Sequence, residues 1–574
     1  MSDNAAIEKS STSKALNVVI YWHMHQPEYR DLRNGEYHLP WTYLHTIKDY
    51  VEMVAHLENN EAARAVVNFA PVLLEQIDDY AKQLEDYLNN GKALRDPLLA
   101  ALADPVMSLD EEQRLHVIKA CLRANKHRLV DRFEVFKTLA EMAEAALHNP
   151  SMLQYYSEYF FADILVWYHL AWTAETVRKS DVRIMELMKK ARHFSLHDRH
   201  LLVEIINELV SGVIERYRKL AVAGRIELSM TPYAHPIVPL LIDLKSASQT
   251  MPDVSLPLAE KYPGGLERSR WHLQKGIEVF KHYFGFEPQG CWPSEGSVSA
   301  EAVELISDMG LRWLASGETV LRNSLGKSAA KADSCIHQAY QYRDSTAACF
   351  FRDDGLSDSI GFKYSDWHAD DAVANLVHHL EMIAEDCADK PNAVVSIILD
   401  GENAWEYYPE NGYHFIRALY QKVSQHEKLR MTTYSAYLDA CDDRKPLEAI
   451  AAGSWVYGTF STWIGEKDKN RAWDMLVEAK KVYDRAVSEG HLSSEQLITA
   501  TMQLATCESS DWFWWFGEYN SAGSVAAFDE QYRLHLCNLY QLLNVEPPDY
   551  LAKAFSFGSG NPAMGGAMLP GQQH

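Results

Sequence analysis

Short apolar runs alternate with longer amphipathic stretches along most of the chain. Helical segments such as residues 266–284 and 371–388 separate several of the apolar runs. Strands that alternate with helices predict a parallel sheet, and nearly continuous apolar strands predict burial of both sheet faces. The predicted strands are LNVVIYWHM (16–24), RAVVNFA (64–70), RIELSM (225–230), GCWP (290–293), LRWLAS (311–316), ACFFR (348–352) and AVVSIIL (393–399).

The interval between the second and third strands has a different pattern. From about residue 74 to residue 222, apolar residues recur every three or four positions, which is the period of an amphipathic helix. We therefore predict a long helical insertion in this interval. The seven strands favour an α/β fold with an incomplete or distorted barrel over residues 16–430, and an open doubly wound sheet is the alternative.

The two ends of the chain differ from this central part. Strand patterns fade after about residue 431, and helical patterns then predict a C-terminal helical domain over residues 431–556. Residues 1–15 are polar and predict a disordered leader, and the Gly- and Pro-rich residues 557–574 predict a flexible tail. The first residues lack the apolar core of a signal peptide, which favours a cytoplasmic location.

The charge and cysteine content of the chain indicate which binding partners and sites are improbable. The 574 residues carry a net charge of −24, from 79 acidic and 55 basic side chains. A negative surface repels phosphate backbones and anionic lipids, so we expect neither nucleic acid nor a membrane as partner. No run reaches the roughly 18 apolar residues that a membrane span needs. The 8 cysteines include no C-x-x-C pair, which predicts free thiols rather than disulfides or a zinc site.

Polar side chains follow nearly every predicted strand. In barrel enzymes the carboxyl ends of the strands carry the reactive residues, so a series of such side chains predicts an active site. The relevant stretches are HMHQP (23–27), TPYAHP (231–236), WPSEGS (292–297), FRDDGLSD (351–358) and LDGENAWE (399–406).

Three carboxylates in these stretches are candidates for catalysis. Glu295 follows Trp292 and Pro293, which stiffen its approach, and a rigid carboxylate can act as a nucleophile. The alternative is a solvated acid before a helix that begins near residue 299. Asp400 and Glu402 would share one side of an extended chain, where their proximity raises one pKa and favours a proton donor. The alternative for both is a surface Asp-Gly turn.

Several histidines and tryptophans are candidates for binding a metal ion or a ligand. His23 and His25 have the H-x-H spacing of some zinc sites, so a metal-dependent hydrolase is one hypothesis and hydrogen bonding to a polar ligand is the other. Trp512 and Trp514 lie beside Asp511, either as core residues or as a wall on which sugar rings stack. The abundant aromatics, 15 Trp, 30 Tyr and 19 Phe, suit carbohydrate binding. The motifs of serine hydrolases, NTPases and dinucleotide-binding folds are absent from the sequence.

Five separated stretches, taken together in this order, resemble glycoside hydrolase family 57, a group of α-glucan-active enzymes. They are HQP (25–27), GRIELSMTPYAHP (224–236), WPSEGS (292–297), LDGENAWE (399–406) and SSDWFWWFGE (509–518). The resemblance implies a distorted (β/α)7 barrel, a C-terminal helical domain that contributes to the cleft, and a retaining mechanism. We expect no cofactor, and no metal ion among the site residues.

The resemblance also implies roles for individual residues. Glu295 would be the nucleophile and Asp400 the general acid and base. The substrate-binding set would be His23, His25, Glu227, His235, Trp292, Glu402, Trp463, Asp511, Trp512 and Trp514.

Several features are more similar to the α-amylase and amylopullulanase branch of the family. These are Gly296-Ser297-Val298 after the nucleophile, DWFWWFGE (511–518) and FRDDGLSDSIGF (351–362). The expected activity is hydrolysis of α-1,4 bonds, and secondarily of α-1,6 bonds, in starch, glycogen or maltooligosaccharides. The alternatives are a 4-α-glucanotransferase, a metal-dependent deacetylase-like hydrolase and a non-catalytic glucan-binding protein.

Overall fold

The structure, a computed structural model, describes residues 15–106, 110–326, 335–390, 392–441, 443–490 and 492–560. Nearly all of the predicted leader and most of the predicted tail lie outside these ranges. The described start of the tail contacts the C-terminal region, because the backbone N–H groups of Ser559 and Gly560 donate to the carbonyls of Glu518 and Asn520.

Seven parallel strands close into a barrel. They pair in the order β1-β2-β3-β4-β5-β7-β8, and β8 pairs again with β1. The predicted α/β barrel and its seven strands are confirmed, and the open sheet is wrong. Three further strands extend the sheet: β6 pairs with β7 and β10, and β9 pairs with β1. The strands are β1 (Leu16–Met24), β2 (Ala65–Phe69), β3 (Ile226–Met230), β4 (Gly290–Cys291), β5 (Trp313–Gly317), β6 (Tyr340–Tyr342), β7 (Ala348–Arg352), β8 (Val394–Asp400), β9 (Leu429–Met431) and β10 (Lys445–Leu447).

Alternate side chains of the strands pack into two different cores, one inside the barrel and one between the barrel and the helices. Successive strand residues point to opposite faces, so Tyr21 lies inside the barrel while Trp22 packs among the surrounding helices. Large aromatic rings such as Trp292, Trp313 and Phe350 fill the barrel interior. Both faces of the barrel strands are therefore apolar, which is why the sequence shows continuous apolar runs rather than an alternating pattern.

Helices between β2 and β3 form the predicted insertion. The helical pattern of the insertion runs through residues 111–147, but the structure is broken there: α5 ends at Cys121, a π-helical turn spans Lys126–Val130, and α6 begins at Glu134. The side chain of Asn125 caps this turn by accepting from the Arg128 N–H. After the short α1 (Trp41–His45) and α2 (Val51–Glu58), the insertion comprises α3 (Pro71–Asn90), α4 (Pro97–Ala103), α5 (Glu111–Cys121), α6 (Glu134–His148), α7 (Glu158–Ala171), α8 (Glu175–Ser180), α9 (Val182–Lys190) and α10 (Leu196–Val222).

The remaining helices connect the later strands and build the C-terminal region. The connecting helices are α11 (Val238–Ile242), α12 (Gly265–Phe284), α13 (Ala300–Asp308), α14 (Glu318–Leu325), α15 (Asp354–Asp358), α16 (Ala369–Asp386), α17 (Tyr413–Ser424) and α18 (Tyr434–Ala440). The C-terminal helices are α19 (Lys467–Glu489), α20 (Ser494–Cys507), α21 (Ser510–Trp515) and α22 (Ala522–Leu542). Within the described residues, no helix has the length and apolarity required to cross a membrane.

Candidate active site

A cavity of about 510 Å³ lies at the carboxyl ends of the barrel strands. Three parts of the chain line it. The barrel contributes His25, Glu295 and Asp400, the insertion contributes residues 122–125, and the C-terminal region contributes Asp511 and residues 514–515. The break between α5 and α6 places residues 122–125 at the wall of the cavity.

Glu295 occupies a strained turn just after β4. Its φ of 59° lies in the left-handed region, which a residue with a Cβ rarely adopts. The next residue, Gly296, also has a positive φ, and a Cβ there would lie 3.0 Å from the Trp292 ring. The indole N–H of Trp455 donates to Glu295 Oε2 at 3.0 Å, and the backbone N–H of Trp455 donates to the Glu295 carbonyl at 3.2 Å. Both contacts fix the direction of this carboxylate into the cavity.

Asp400 is the last residue of β8, beside His23 of β1 in the strand register. The side-chain amide of Asn403 donates to Asp400 Oδ2 at 2.9 Å. Burial raises the pKa of Asp400 to about 6, against the lowering effect of Asn403 and of the neighbouring His25 and Arg352. A carboxyl group in this range can both donate and accept a proton near neutral pH.

Glu295 and Asp400 influence each other's charge. Burial raises the pKa of Glu295 well above its ordinary value, the charge of Asp400 raises it further, and the N–H of Trp455 lowers it. Two interacting carboxyl groups in one buried site share protons rather than ionising together. The pair therefore holds a proton near neutral pH. The larger upward shift of the Glu295 pKa favours Glu295 as its carrier, so an acid and nucleophile pair would require this proton to move to Asp400.

Glu402 supports the floor of the cavity. Its Oε1 accepts from the His25 backbone N–H at 3.2 Å, the Gln26 amide at 3.1 Å and the Tyr50 hydroxyl at 3.3 Å. Its Oε2 is buried without a hydrogen-bond partner among the described residues. Burial and the charge of Asp400 raise the pKa of Glu402 well above its ordinary value, so a protonated Oε2 could donate to a ligand.

Three histidine rings stack beside the two carboxyl groups. The His25 and His235 ring centroids are 3.9 Å apart at an interplanar angle of 17°, and His23 lies 5.2 Å from His235. His25 Nε2 contacts Asp511 Oδ1 at 2.8 Å, and His235 Nδ1 lies 3.9 Å from Glu295 Oε1. Burial lowers the pKa of His23 to about 3 and that of His235 well below its ordinary value.

The ligand atoms of His25, His235 and Asp511 lie close enough to hold a metal ion. However, stacked rings direct their nitrogen lone pairs along parallel planes, so one ion cannot take both nitrogens with good geometry. His23 Nδ1 is already engaged with Asn68 Oδ1 at 2.7 Å. The arrangement therefore favours hydrogen bonding over the metal-dependent hypothesis drawn from the H-x-H spacing.

Five predicted substrate-binding residues lie outside the cavity lining, and one of them, His235, stacks against the lining residue His25. Glu227 lies inside the barrel, where Trp313 Nε1 donates to its Oε1 at 2.7 Å and the Ser435 N–H donates to its Oε2 at 2.9 Å. Trp292, Trp463 and Trp512 are completely or almost completely buried. Trp463 and Trp512 therefore present no ring face on which a sugar could stack, and both tryptophans serve the C-terminal core instead. By contrast, His23, His25, Glu402, Asp511 and Trp514 line the cavity as expected.

The structure adds cavity residues that the sequence patterns missed. Trp455, in GSWVYG (453–458), contacts the predicted nucleophile from a segment far along the chain. Trp41 and Trp515 are partly exposed tryptophans in the lining, and they replace Trp463 and Trp512 as stacking candidates. Trp515 was visible in the DWFWW stretch, but nothing in the sequence indicates that Trp41 or Trp455 is near the catalytic pair.

Comparisons with solved structures reveal similar folds. A branching enzyme from Thermococcus kodakaraensis has a TM-score of 0.56 and 14% identity, over 92% of this chain and 90% of that chain. A branching enzyme from Pyrococcus horikoshii has a TM-score of 0.56 and 15% identity, over 95% and 99%. An α-amylase from Thermotoga maritima has a TM-score of 0.53 and 12% identity, over 92% and 93%.

Sequence comparison provides the family. A search of curated protein sequences finds no match. The sequence profile described as "Glycosyl hydrolase family 57" matches residues 19–450, which cover the barrel except for the first three residues of β1. This match spans well over half of the chain and agrees with the seven-stranded barrel. The chain therefore belongs to glycosyl hydrolase family 57.

Proposed function

We propose that the protein is a retaining hydrolase of α-glucosidic bonds, with Glu295 as nucleophile and Asp400 as general acid and base. One observation carries the proposal: two partly buried carboxyl groups, those of Glu295 and Asp400, line the same cavity at the carboxyl end of the barrel. The similar α-amylase and branching-enzyme folds are consistent with an α-glucan as substrate.

The reaction follows from the two carboxyl groups. Protonated Asp400 gives its proton to the glycosidic oxygen while the Glu295 carboxylate attacks the anomeric carbon and forms a glycosyl ester. Ionised Asp400 then takes a proton from water, whose oxygen attacks the same carbon and releases Glu295. Two inversions at the anomeric carbon give net retention. The indole N–H of Trp455 would stabilise the carboxylate of Glu295 between turnovers.

The lining of the cavity suits a glucan. Sugar rings present apolar C–H faces, and Trp41, Trp455 and Trp515 offer partly exposed rings for stacking. Gln26 and Asn403 place side-chain amides beside the carboxyl groups, where sugar hydroxyls can bond. Such a mixture of aromatic and polar side chains is typical of sites that orient a small polar ligand.

The stereochemistry of the product tests the mechanism. Maltoheptaose hydrolysis, followed by proton NMR before mutarotation, should release the α-anomer first. Release of the β-anomer first would exclude a retaining mechanism. Glu295→Gln and Asp400→Asn should each lower kcat by at least about a hundredfold, while Glu301→Gln, on the exposed face of α13, should leave kcat unchanged. Near-normal turnover by either active-site variant would overturn the assignment.

Product profiles separate hydrolysis from transfer. With maltoheptaose, pullulan and amylopectin as substrates, new reducing ends without longer chains would support the hydrolase. In that case water, rather than a second glucan, attacks the glycosyl ester. Chains longer than the substrate would favour the 4-α-glucanotransferase instead. Pullulan cleavage would add α-1,6 bonds to the expected α-1,4 specificity. The cytoplasmic location remains a proposal from the sequence.

A further inference from the structure

A cluster of thiol, imidazole and carboxyl groups lies outside the cavity. Cys335 Sγ lies 4.0 Å from Cys387 Sγ and 3.7 Å from His337 Nδ1. The other ring nitrogen of His337, Nε2, contacts Asp353 Oδ2 at 2.9 Å. None of these four residues lines the cavity, and the proposed reaction uses none of them.

The separations of these atoms match those around a zinc ion. Zinc bonds of about 2.3 Å to sulfur and about 2.0 Å to nitrogen at tetrahedral angles place neighbouring ligand atoms roughly 3.6 to 3.8 Å apart. The observed 3.7 and 4.0 Å are within a few tenths of an ångström of these values. A disulfide would require the two sulfurs at about 2.05 Å and would leave His337 and Asp353 without a function in the cluster.

The hydrogen bond to Asp353 fits the same interpretation. Histidines that bind metals usually donate their other ring N–H to a carboxylate, which fixes the ring orientation and makes the free nitrogen a better ligand. Here Asp353 accepts from Nε2 of His337, and Nδ1 faces the two sulfurs. Cys335 and His337 are partly exposed, so water can reach a fourth coordination position.

The cluster joins three segments of the barrel wall. Cys335 and His337 precede β6, Cys387 follows α16, and Asp353 follows β7. The carbonyl of His337 accepts from the Val394 N–H of β8 at 3.0 Å, and β6 pairs with β7. Strands β7 and β8 themselves share a single paired position, Arg352 with Ser396. A metal here would therefore reinforce a seam where the barrel has few backbone hydrogen bonds.

We propose that Cys335, His337 and Cys387 bind a zinc ion that ties together the segments flanking β7 and β8. Binding releases the two thiol protons, and a divalent ion with two thiolates and a neutral imidazole forms an uncharged centre, which suits a partly buried place. The site is structural and independent of the proposed glycosidase reaction. It departs from the sequence expectation of free thiols without a metal, because C-x-H with a third ligand 50 residues later is not a common zinc motif.

Metal content tests the proposal without any glucan. Untagged protein purified without chelator should contain about one zinc ion per chain. Cys335→Ser, Cys387→Ser and His337→Gln should each reduce this content at least about tenfold. The matched control is Cys537→Ser, a half-buried cysteine on α22, which should retain the wild-type content. Replacement of the metal by cobalt should give a thiolate-to-cobalt charge-transfer absorption that both cysteine variants lose.

A second measurement uses the wild-type chain alone, in case a variant fails to fold. Chelation should lower the Tm of the wild-type protein, and zinc chloride should restore it. Wild-type protein that takes up no zinc or cobalt when either is supplied in excess would overturn the proposal. So would a Cys335–Cys387 disulfide in zinc-free protein purified without reductant, found by peptide mass spectrometry.

Discussion

At the scale of single residues, the environment of each carboxyl group determines its chemistry. Glu295 accepts an indole N–H in a left-handed turn, and Asp400 accepts an amide N–H at the end of a strand. Glu402 is buried, and its Oε2 has no hydrogen-bond partner in the described part of the chain. A non-glycine residue with positive φ costs of the order of 1–3 kcal/mol, which the surrounding structure must offset. The contacts of Trp455 supply part of this support.

The Asn403 amide predicts a shift in the pH profile. Burial raises the pKa of Asp400 to about 6, even though the N–H of Asn403 favours the ionised form and offsets part of this rise. In Asn403→Ala the pKa of Asp400 should rise, so the acid stays protonated to higher pH. The alkaline limb of the kcat/KM profile should then move to higher pH, while Asn90→Ala, an exposed change in α3, should leave it in place. A limb that moves to lower pH would contradict this account of Asp400.

Two neighbouring tryptophans should respond differently to truncation. Trp515 lines the cavity, so Trp515→Ala should raise KM for maltoheptaose several-fold, through lost stacking of the order of 1 kcal/mol. Trp512 is buried and its indole N–H donates to the Thr506 carbonyl. Trp512→Ala should therefore lower the free energy of unfolding by about 3–5 kcal/mol. Urea unfolding and steady-state kinetics on both variants measure the difference, and equal effects on KM would argue against it.

At the scale of elements, a buried ion network joins the barrel to the C-terminal helices. Glu508 lies between α20 and α21 and accepts from Arg268 Nε at 2.9 Å, while its other oxygen contacts His272 Nε2 at 2.8 Å. Both partners belong to α12, which packs against strand β3 of the barrel. Burial alone would raise the pKa of Glu508, but the charges and hydrogen bonds of Arg268 and His272 hold it well below its ordinary value.

Removal of this charge should destabilise the protein. Glu508→Gln leaves the buried Arg268 without its partner, which typically costs about 3–5 kcal/mol of unfolding free energy. Because the folded-state pKa of Glu508 is depressed, its stabilisation is present above the unfolded pKa of about 4.3 and declines as pH falls below it. The wild-type advantage in urea unfolding should be full at pH 7 and smaller near pH 3.

The matched control removes an exposed pair instead. Lys126 and Glu144 are 2.9 Å apart on the surface of the insertion, and Glu144→Gln should leave the unfolding free energy nearly unchanged, because solvent screens an exposed pair. If Glu508→Gln and Glu144→Gln gave similar small changes, the buried network would not hold the two regions together.

At the scale of the whole molecule, the barrel, the insertion and the C-terminal region all contribute residues to the candidate site. His25 of the barrel contacts Asp511 of α21, and Glu295 contacts Trp455 from the segment before α19. The barrel alone therefore supplies both carboxyl groups but only part of the surroundings that control their charge and position.

Truncation should reveal this dependence. A chain that ends at residue 450 loses Trp455, Asp511 and the C-terminal part of the shared core. It should show no maltoheptaose turnover and no cooperative thermal unfolding, because the exposed apolar surface destabilises the barrel. A chain that ends at residue 560 should behave like the full-length protein. A cooperatively folded, active chain of 450 residues would contradict the proposed role of the C-terminal region.

The barrel strands, the helical insertion and the family motifs can all be predicted from local sequence patterns. Strands buried on both faces leave continuous apolar runs, and reactive side chains at strand ends are adjacent to those runs. The positions of Glu295, Asp400 and His25 after predicted strands therefore mark them as candidates, whereas the family resemblance indicates Asp511. The break after α5 was hidden, because apolar residues keep the helical period through residues 122–133.

Contacts between distant side chains, by contrast, emerge only from the folded chain. Trp455 and Glu295, 160 positions apart, form a hydrogen bond because a long loop returns to the barrel. Trp463 and Trp512 lie in the core, whereas Trp41 and Trp515 line the cavity. The amino-acid composition cannot distinguish a buried tryptophan from one that lines a cavity. The Cys335, His337 and Cys387 cluster likewise depends on the packing of α16 beside the segment before β6. Local periodicity records the solvent exposure of an element, but contacts between distant segments depend on how the elements pack.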